Sequence, residues 1–475
     1  MTKKSMIILT TLLVSFFLVV LNTHAMVIKN AKTDKFPRTT LSSRLIEPDE
    51  VVTNDLSDFP KLKPKWSQFW GGDHIERESK IFVDKEQGYI YVSGNTKSFN
   101  GFVQPFLLKY DLNGKLKWYK IVYNKEAFVY GLYVKDGSIY LTGLVVKSKV
   151  DTDVFVAKYN AEGEKLWFDT WGGDYCDIGF DIIHHKNAVY VCGRTSSYGK
   201  GCSDVLLLKY KDNDNSCNLI WYKTWGCGED DEAIAITSDG ESLYLCGSTE
   251  YPSKGGSHDG MVLKFDLSTN KFSLVYSWDG NDYDEFMDLL FYKDHVFAVG
   301  WTQSLQHAYD IILIGYDLRS SKLDLSINWG VCQTNIAYGI DCYEDYIFIA
   351  GEVSESSGFH MERAAVILKI SIEGDIEWGK IWGKKYFAGA EDIALSDGDF
   401  YVTGRAFPLF KRYTDIFIFR CDKDGGKSVG FTDFLENIIL HLRNILFWPF
   451  KMGVFEESKI KVVPIIKITP SVGTI

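Results

Sequence analysis

Acidic side chains are the residues of this sequence whose types and spacing are best suited to chemistry. They cluster directly after a recurring Trp-Gly step, which begins for example at Trp171, Trp225 and Trp382. The clustered residues are Asp174, Asp177, Glu229, Asp230, Asp231, Glu232, Asp282, Asp284, Glu285, Glu391 and Asp392. Hard cations such as calcium bind clustered carboxylate oxygens, and a ring of carboxylates attracts basic partners. The sequence therefore predicts a cation-binding or ligand-binding face, and the alternative is a solvated rim whose carboxylates cap turns.

Established catalytic motifs are absent from the sequence. It contains no Gly-x-Ser-x-Gly elbow, His-Glu-x-x-His pair or phosphate-binding loop, and no Cys-x-x-Cys pair that would indicate zinc. No EF-hand spacing accompanies the acidic residues, so calcium stays a hypothesis and no other cofactor is predicted. These features favour a non-catalytic binding or scaffolding protein. The alternative is an extracellular lyase, hydrolase or quinoprotein-like enzyme, which a central channel with converging carboxylate, Arg, Tyr or His side chains would favour.

Three repeated anchors define the elements that must position the acidic residues. A Gly closes an aromatic-led strand seven times, from Gly94 to Gly404, at intervals of about 52 residues. The Trp-Gly step precedes this Gly by 22 residues in five repeats, and a strand ending in a basic residue usually follows it. Each unit resolves into four short strands, and seven such units predict an all-β, seven-bladed propeller. The acidic residues and the loops of variable length are predicted to share one face.

The two ends of the repeat region predict how the ring closes. The last repeat has three strands by Arg420 but no Trp-bearing fourth strand, whereas residues 65–72 supply such a strand before the first repeat. The N-terminal strand is therefore predicted to complete the seventh blade and to remove an open sheet edge. The stability of a ring closed in this way depends on both ends of the chain.

Large aromatic residues recur on the predicted fourth strands. These residues are Trp118, Trp167, Trp221 and Trp378. Because a large ring buries much apolar area, they are predicted to dock neighbouring blades. Their spacing also resembles the tryptophan-docking motif of quinoprotein dehydrogenases, and this resemblance concerns packing alone.

Threonines that follow the strand Gly are predicted to bond within each blade, because buried polar groups need partners. The predicted pairs are Thr195 with Asp204, Thr249 with Asp259 and Thr302 with Asp310.

The cysteines fall into two groups. Cys192 and Cys246 lie in apolar strands and are predicted to be buried fillers. The disulfide candidates, whose connectivity is open, are Cys176, Cys202, Cys217 and Cys227.

The third repeat shows the full pattern. It reads Trp-Gly-Gly from Trp171, Tyr-Val-Cys-Gly-Arg-Thr from Tyr190, and Asp204 five residues before Lys209-Tyr210. This pattern resembles the SBBP-type β-propeller repeats of secreted and cell-surface proteins, over residues 61 to about 426. The resemblance implies an extracellular propeller, whose partner would be a protein or a glycan. Departures such as Val122 in place of Trp leave the fold intact but exclude a site that needs all seven positions.

The sequence is divided into four predicted segments. Residues 1–25 read as a signal peptide, with an uncleaved membrane anchor as the alternative, and residues 26–60 as a flexible lead. The propeller is predicted over 61–428 and an amphipathic helix and tail over 429–475. Residues 431–450 are expected either to pack under the ring or to contact a membrane surface. The net charge of -11 without a long basic run excludes nucleic acid as a partner, and the protein is predicted to be secreted or at the cell surface.

Overall fold

The computed structural model describes Leu56 and residues 59–426, apart from residues 227, 251–257, 279, 281, 306–307, 358–359 and 409–410. The predicted signal peptide and C-terminal amphipathic helix lie outside these residues. No helix in the described part of the chain is long and apolar enough to cross a membrane. Its helical structure includes one short 3-10 turn at Lys384–Tyr386.

The strands of the described residues form seven antiparallel sheets of four strands each, which are the seven blades. Blade 1 contains β2 (Glu76–Asp84), β3 (Tyr89–Thr96), β4 (Gln104–Asp111) and β5 (Leu116–Ile121). Blade 2 contains β6 (Ala127–Lys135), β7 (Ser138–Val146), β8 (Thr152–Tyr159) and β9 (Lys165–Trp171). Blade 3 contains β10 (Asp177–His185), β11 (Ala188–Thr195), β12 (Asp204–Asp212) and β13 (Cys217–Trp225). Blade 4 contains β14 (Asp231–Ser238), β15 (Ser242–Glu250), β16 (His258–Asp266) and β17 (Lys271–Trp278).

The remaining blades follow the same order from the centre outward. Blade 5 contains β18 (Asp284–Tyr292), β19 (His295–Thr302), β20 (Asp310–Asp317) and β21 (Lys322–Trp329). Blade 6 contains β22 (Thr334–Tyr343), β23 (Tyr346–Ser357), β24 (His360–Ser371) and β25 (Ile376–Trp382). Blade 7 contains β26 (Gly389–Ser396), β27 (Asp399–Ala406), β28 (Asp415–Asp422) and β1 (Trp66–Trp70). The predicted all-β, seven-bladed propeller is confirmed.

Burial within a blade follows strand position. In blade 3 most residues of β11 and β12 are buried, whereas every residue of β13 is exposed or half-buried. Middle strands pack against neighbouring blades on both faces, so their sequences read as continuous apolar runs. This packing places the hydrophobic core between the blades rather than at the centre of the ring.

The recurring strand Gly is explained by a close approach between the first two strands of a blade. A Cβ added at Gly193 would lie 1.9 Å from the carbonyl oxygen of Ile178, and one at Gly143 would lie 1.8 Å from that of Phe128. These distances are far below any van der Waals contact, and the obstacle is backbone. A side chain at this position would therefore push the inner strand out of register.

The ring closes through the N-terminal strand, as predicted. β1 pairs antiparallel with β28, from Trp66 opposite Arg420 to Trp70 opposite Ile416. Trp70 is buried and its ring centroid lies 4.3 Å from that of Phe106 in blade 1. The strand therefore completes blade 7 and also joins it to blade 1.

The threonines bond within the blade, but the predicted partners were wrong. Thr195 donates to Asp177 at the start of the inner strand, and Thr249 donates in the same way to Asp231. Thr195 lies between Asp177 and Asp204 in the sheet, so both acids are its strand neighbours. Asp204 instead accepts the backbone N–H groups of Lys200 and Gly201 through Oδ2.

The fourth-strand tryptophans contact neighbouring blades in several ways. Trp221 lies 5.4 Å from Phe265 of the next blade, and Trp378 lies 6.3 Å from Phe400. Trp167 donates its indole N–H to Asp212. Trp118 packs against the apolar cluster that blades 1 and 2 share.

The cysteines of the described residues are free thiols. Cys192 and Cys246 are fully buried, which confirms their prediction as apolar fillers. The disulfides expected among the loop cysteines do not form between Cys176, Cys202 and Cys217. The fourth candidate, Cys227, lies outside the described residues.

Candidate ligand-binding channel

The inner strands of the seven blades line the central channel, and each is interrupted by a β-bulge. In β10 the register shifts between Gly179 and Asp181, which leaves Phe180 unpaired. Bulges re-aim side chains and occur next to functional sites. The unpaired positions of the other blades are Glu78-Ser79, Tyr130, Ile234, Met287, Tyr338 and Glu391.

One layer of the channel is charged in alternate blades. The residues directly after the bulge in blades 1, 3, 5 and 7 are Lys80, Asp181, Asp288 and Asp392. Each aspartate accepts the N–H of the residue that follows it and a second N–H from the next inner strand along the ring. These second donors are Ile236 for Asp181, Ile340 for Asp288 and Ile81 for Asp392. The carboxylates therefore connect blade 3 to 4, 5 to 6 and 7 to 1.

Lys80 offsets part of the negative charge of these three aspartates. Burial opposes the positive charge of Lys80, but the carboxylates of Asp392, Asp288 and Asp181 outweigh it and raise the pKa of the amine. Burial also raises the pKa of Asp181 to about 6 and that of Asp288 to about 7, although Lys80 acts against both shifts. Near neutral pH this layer therefore holds protons that an exposed aspartate would have released.

Stability is expected to fall as the pH rises from 5 to 8. Because the folded-state pKa values of Asp181 and Asp288 lie above the ordinary value, their contribution is complete below about pH 4 and is lost as the pH passes 6 to 7. The loss should be on the order of 2 kcal/mol in the free energy of unfolding. Urea unfolding at pH 5 and pH 8 measures it.

The neutral variant Asp181→Asn provides the control for this pH dependence. The lowered pKa values of His184 and His185, which follow from burial, act in the opposite direction in the same pH range. The comparison between wild type and Asp181→Asn therefore isolates the aspartate. An unchanged pH dependence in this variant would contradict the assignment.

A second layer lies at the end of the channel where the inner strands begin. We call it the channel mouth, and it consists of Tyr130, Arg194, Glu232, Glu285, Tyr338, Glu391 and Arg405. Arg405 binds Glu391 at 2.6 Å and Glu352 at 3.2 Å, and Arg194 binds Glu232 at 3.2 Å. These ion pairs hold the arginines and most of the carboxylates of the mouth in fixed positions.

Glu232 and Glu285 form a pair of carboxyl groups in hydrogen-bonding contact. Burial, together with the neighbouring Glu232, raises the pKa of Glu285 well above its ordinary value. Ser248 also lies 3.4 Å from a carboxyl oxygen of Glu285. The raised pKa favours the protonated form of Glu285, whose carboxyl group can both donate and accept hydrogen bonds.

Two tyrosines add hydroxyl groups to the mouth. Burial raises the pKa of Tyr130 and of Tyr338, so both hydroxyls stay protonated donors at neutral pH. Neither hydroxyl has a hydrogen-bond partner among the described residues. The Tyr130 ring also lies 5.6 Å from the Phe180 ring, which adds an apolar face to the channel.

The predicted acidic residues fall into three places in the structure. Asp177, Asp231 and Asp284 are buried, and each lies beside the threonine two residues after a strand Gly. Glu232, Glu285, Glu391 and Asp392 reach the channel. The rest lie at the rim, where Asp174 and Asp282 are exposed and Glu229 and Asp230 are half-buried. The predicted acidic ring therefore divides into three sets: buried carboxylates beside a threonine, carboxylates in the channel and carboxylates at the rim. Their binding of a ligand or cation stays a prediction.

Several channel residues were missed by sequence reasoning. They are Lys80, Tyr130, Arg194, Asp181, Asp288, Tyr338 and Arg405. A signal for part of this set was present, because an aspartate precedes the strand Gly by twelve residues in the third, fifth and seventh repeats. The other four repeats carry other residues at this position. The charged layer is therefore recognised only when the inner strands of the blades are superimposed at their β-bulges.

The chain was compared with known proteins at three levels. No family model matches it. It is 28% identical over 245 residues to an uncharacterized protein of Aquifex aeolicus (strain VF5), a match that covers 50% of this chain and 63% of that protein. The chain thus spans less than two thirds of this relative. Among solved structures it is similar to the Kuenenia stuttgartiensis hydrazine synthase, with 11% identity, a TM-score of 0.48, and coverage of 73% of this chain and 96% of that one.

Proposed function

We propose that this protein is an exported, non-catalytic propeller that binds a polar, hydroxyl-rich ligand, such as a short glycan, at the channel mouth. The observation that carries the proposal is the set of polar side chains that the inner strands bring to this mouth, among which the two tyrosine hydroxyls have no hydrogen-bond partner in the described residues. The hydroxyls of Tyr130 and Tyr338 and the carboxyl groups of Glu232 and Glu285 belong to the inner strands of four blades that line the channel. Ligand sites combine a few fixed polar groups of this kind with aromatic faces.

The arrangement of the carboxyl groups favours binding over hydrolysis. Retaining glycoside hydrolases separate their two carboxyl groups by about 5–5.5 Å, and inverting enzymes by about 6.5–9.5 Å. Glu232 and Glu285 instead contact each other, and Glu391 is held by Arg405 and by Ser79. These groups are placed to hold a ligand, and a reacting bond would not fit between Glu232 and Glu285 without their separation.

Hydrolysis by the same site is the second candidate function. The channel contains converging carboxylate, Arg and Tyr side chains, which is the feature that favours an enzyme. The raised pKa of Glu285 would suit a general acid, because catalytic acids are tuned toward the working pH by burial.

The proposal also includes export of the protein and its attachment to the cell surface. The N-terminal charged and apolar residues and the SBBP-like repeat support secretion or display at the cell surface. Calcium and a membrane-surface contact of residues 431–450 are further expectations, and the latter segment lies outside the described residues. A protein partner at the same mouth would be an alternative to a glycan.

Oligosaccharide binding tests the proposed site. The chain without residues 1–25 should be stabilised by at least one member of a panel of neutral and acidic oligosaccharides, measured by thermal unfolding. The double variant Tyr130→Phe/Tyr338→Phe should bind about 10- to 30-fold more weakly, because each hydrogen bond contributes about 1 kcal/mol. Tyr119→Phe, on the exposed fourth strand of blade 1, is the matched control and should bind normally.

The same samples separate binding from catalysis. A binding protein leaves the oligosaccharides intact, and Glu285→Gln weakens their binding. An enzyme would release new reducing ends, and Glu285→Gln would stop this release while the ligand stays bound. If no oligosaccharide stabilises the wild-type chain, the glycan proposal is overturned.

A further inference from the structure

A cavity of about 380 Å³ lies at the junction between blades 1 and 2. Its volume falls within the range of roughly 300–1,000 Å³ that is typical of small-molecule sites. Its residues come from β5, from the connection that follows β5 and from the ends of β8 and β9, so the cavity is separate from the central channel. The lining includes three lysines, two tyrosines and a valine, which are Lys120, Lys125, Lys165, Tyr123, Tyr159 and Val122.

The cavity occurs where the repeat departs from its pattern. Val122 stands at the position that a tryptophan occupies in each of the other six blades. At the next junction the equivalent Trp171 packs against Tyr198 and Tyr222 of blade 3, with its ring centroid 5.1 Å from both. Because valine is much smaller than tryptophan, the junction between blades 1 and 2 keeps open space that an indole ring would fill.

The three lysines make this cavity positively charged. Among the described residues, the ammonium groups of Lys120, Lys125 and Lys165 form neither a hydrogen bond nor an ion pair. Glu164 adjoins Lys165 but instead accepts a hydrogen bond from the Asn160 amide at 2.9 Å. In a chain with a net charge of -11, such a local excess of positive charge attracts an anion.

The two tyrosines supply fixed walls to the cavity. The Tyr123 ring stacks on Phe168 of blade 2, with the ring centroids 5.3 Å apart and the planes at 6°. Tyr159 donates its hydroxyl to the carbonyl oxygen of Val122 at 3.1 Å. Ligand sites combine aromatic walls of this kind with a few charged or polar groups that set the orientation of the ligand.

We propose that this cavity binds a small organic anion, such as a sugar that carries a phosphate or sulfate ester. The lysine ammonium groups would bind the ester oxygens, which are strong acceptors of charge-assisted hydrogen bonds. The Tyr123 ring would contact the organic part of the ligand. A free inorganic phosphate would fill only a small part of the cavity. This site goes beyond the proposed function, since it shares no residue with the channel mouth.

Calorimetric titration of the full-length chain with glucose 6-phosphate at low ionic strength tests this site. The ester should bind more tightly than glucose, and its binding should weaken as salt is added, because salt screens exposed charges. Lys120→Gln/Lys165→Gln should weaken the binding by about tenfold or more, since it removes hydrogen bonds between charged groups. Lys115→Gln/Lys117→Gln is the matched control. It removes two charges of blade 1 outside the cavity and should bind the ester normally.

Two further variants locate the bound ester. Val122→Trp introduces the residue of the other six blades and should abolish binding while every lysine is kept. Tyr130→Phe/Tyr338→Phe, at the channel mouth, should bind the ester as the wild type does, so a failure of one site is distinguished from a failure of the other. The proposal is overturned if the wild type does not bind glucose 6-phosphate, if it binds inorganic phosphate equally well, or if Lys120→Gln/Lys165→Gln or Val122→Trp binds the ester as tightly as the wild type.

Discussion

A chain that begins at Asp73, and therefore lacks the strand Trp66–Trp70, is expected to lose most of its stability. The deletion leaves β28 as an open edge, because each residue of Ile416–Arg420 loses its β1 partner and keeps only its pairing with β27. It also removes Trp70, which is buried against Phe106 of blade 1. Burial of one large aromatic side chain alone contributes about 3–5 kcal/mol by truncation measurements, a large part of the stability of most domains. The ring should therefore open or aggregate through its exposed edge.

Thermal unfolding and hydrogen exchange measure this effect. The melting transition should fall well below that of the wild type, and the amides of β28 should lose their protection. A chain that begins at Leu56 is the control, since it keeps the strand together with the buried Leu56 and the contact of Phe59 with Trp329. A peptide of residues 61–72 added in trans should restore part of the stability by strand addition. An unchanged melting temperature after the deletion would contradict closure by this strand.

The closure could be predicted from sequence because it depends on which strands are missing. The last repeat lacks a Trp-bearing strand and the first is preceded by one, so pairing Trp66–Trp70 with the strand at Arg420 completes a repeat. The recurring strand Gly could also be recognised in the sequence, although the structural reason for a Gly at this position could not. The contact between Gly193 and the carbonyl oxygen of Ile178 appears only when β10 and β11 are placed side by side.

The channel could not be predicted in the same way, because its residues break the repeat. Lys80 occurs once, and its three aspartate partners lie in alternate blades that are distant in sequence. The predicted partners of the threonine hydrogen bonds were wrong for another reason. Thr195 has an aspartate on each side in the sheet, and the choice depends on Asp204 being engaged by the backbone of its own loop. Strand order identifies the neighbours of Thr195 but not which of the two aspartates accepts its hydrogen bond.

Asp212→Ala is expected to destabilise the protein by about 3–5 kcal/mol, the range found when one partner of a buried ion pair is removed. Asp212, at the end of β12, accepts hydrogen bonds from Lys158 at 2.8 Å, Tyr140 at 2.7 Å and Trp167 at 3.2 Å. All three donors belong to blade 2, so the carboxylate joins two blades. The side chains of Lys158 and Asp212 are 5% and 7% exposed, so the remaining ammonium would stay buried without a counter-charge.

The pH dependence of this interaction opposes that of the channel. Burial disfavours the charge of Asp212, but the hydrogen bonds from Lys158 and Tyr140 outweigh it and hold the pKa below its ordinary value. A lowered folded-state pKa gives stability that is present above the unfolded value of about 4 and is lost as the pH falls below it. Asp212→Ala should therefore cost most near neutral pH and least in acid. A fall in pH thus weakens the contact of Asp212 with blade 2, whereas a rise in pH weakens the contacts of the channel aspartates.

A double-mutant cycle separates the ion pair from simple loss of packing. Lys158→Ala removes the ammonium, and the double variant Asp212→Ala/Lys158→Ala should be less destabilised than the two single effects added together, because no unpaired charge stays buried. Tyr140→Phe is the milder comparison and should cost about 1 kcal/mol, since it removes one hydrogen bond and leaves the pair intact. Additive single effects in urea unfolding would mean that Lys158 and Asp212 act independently, and the link between blades 2 and 3 would then depend on the Trp167 contact and apolar packing.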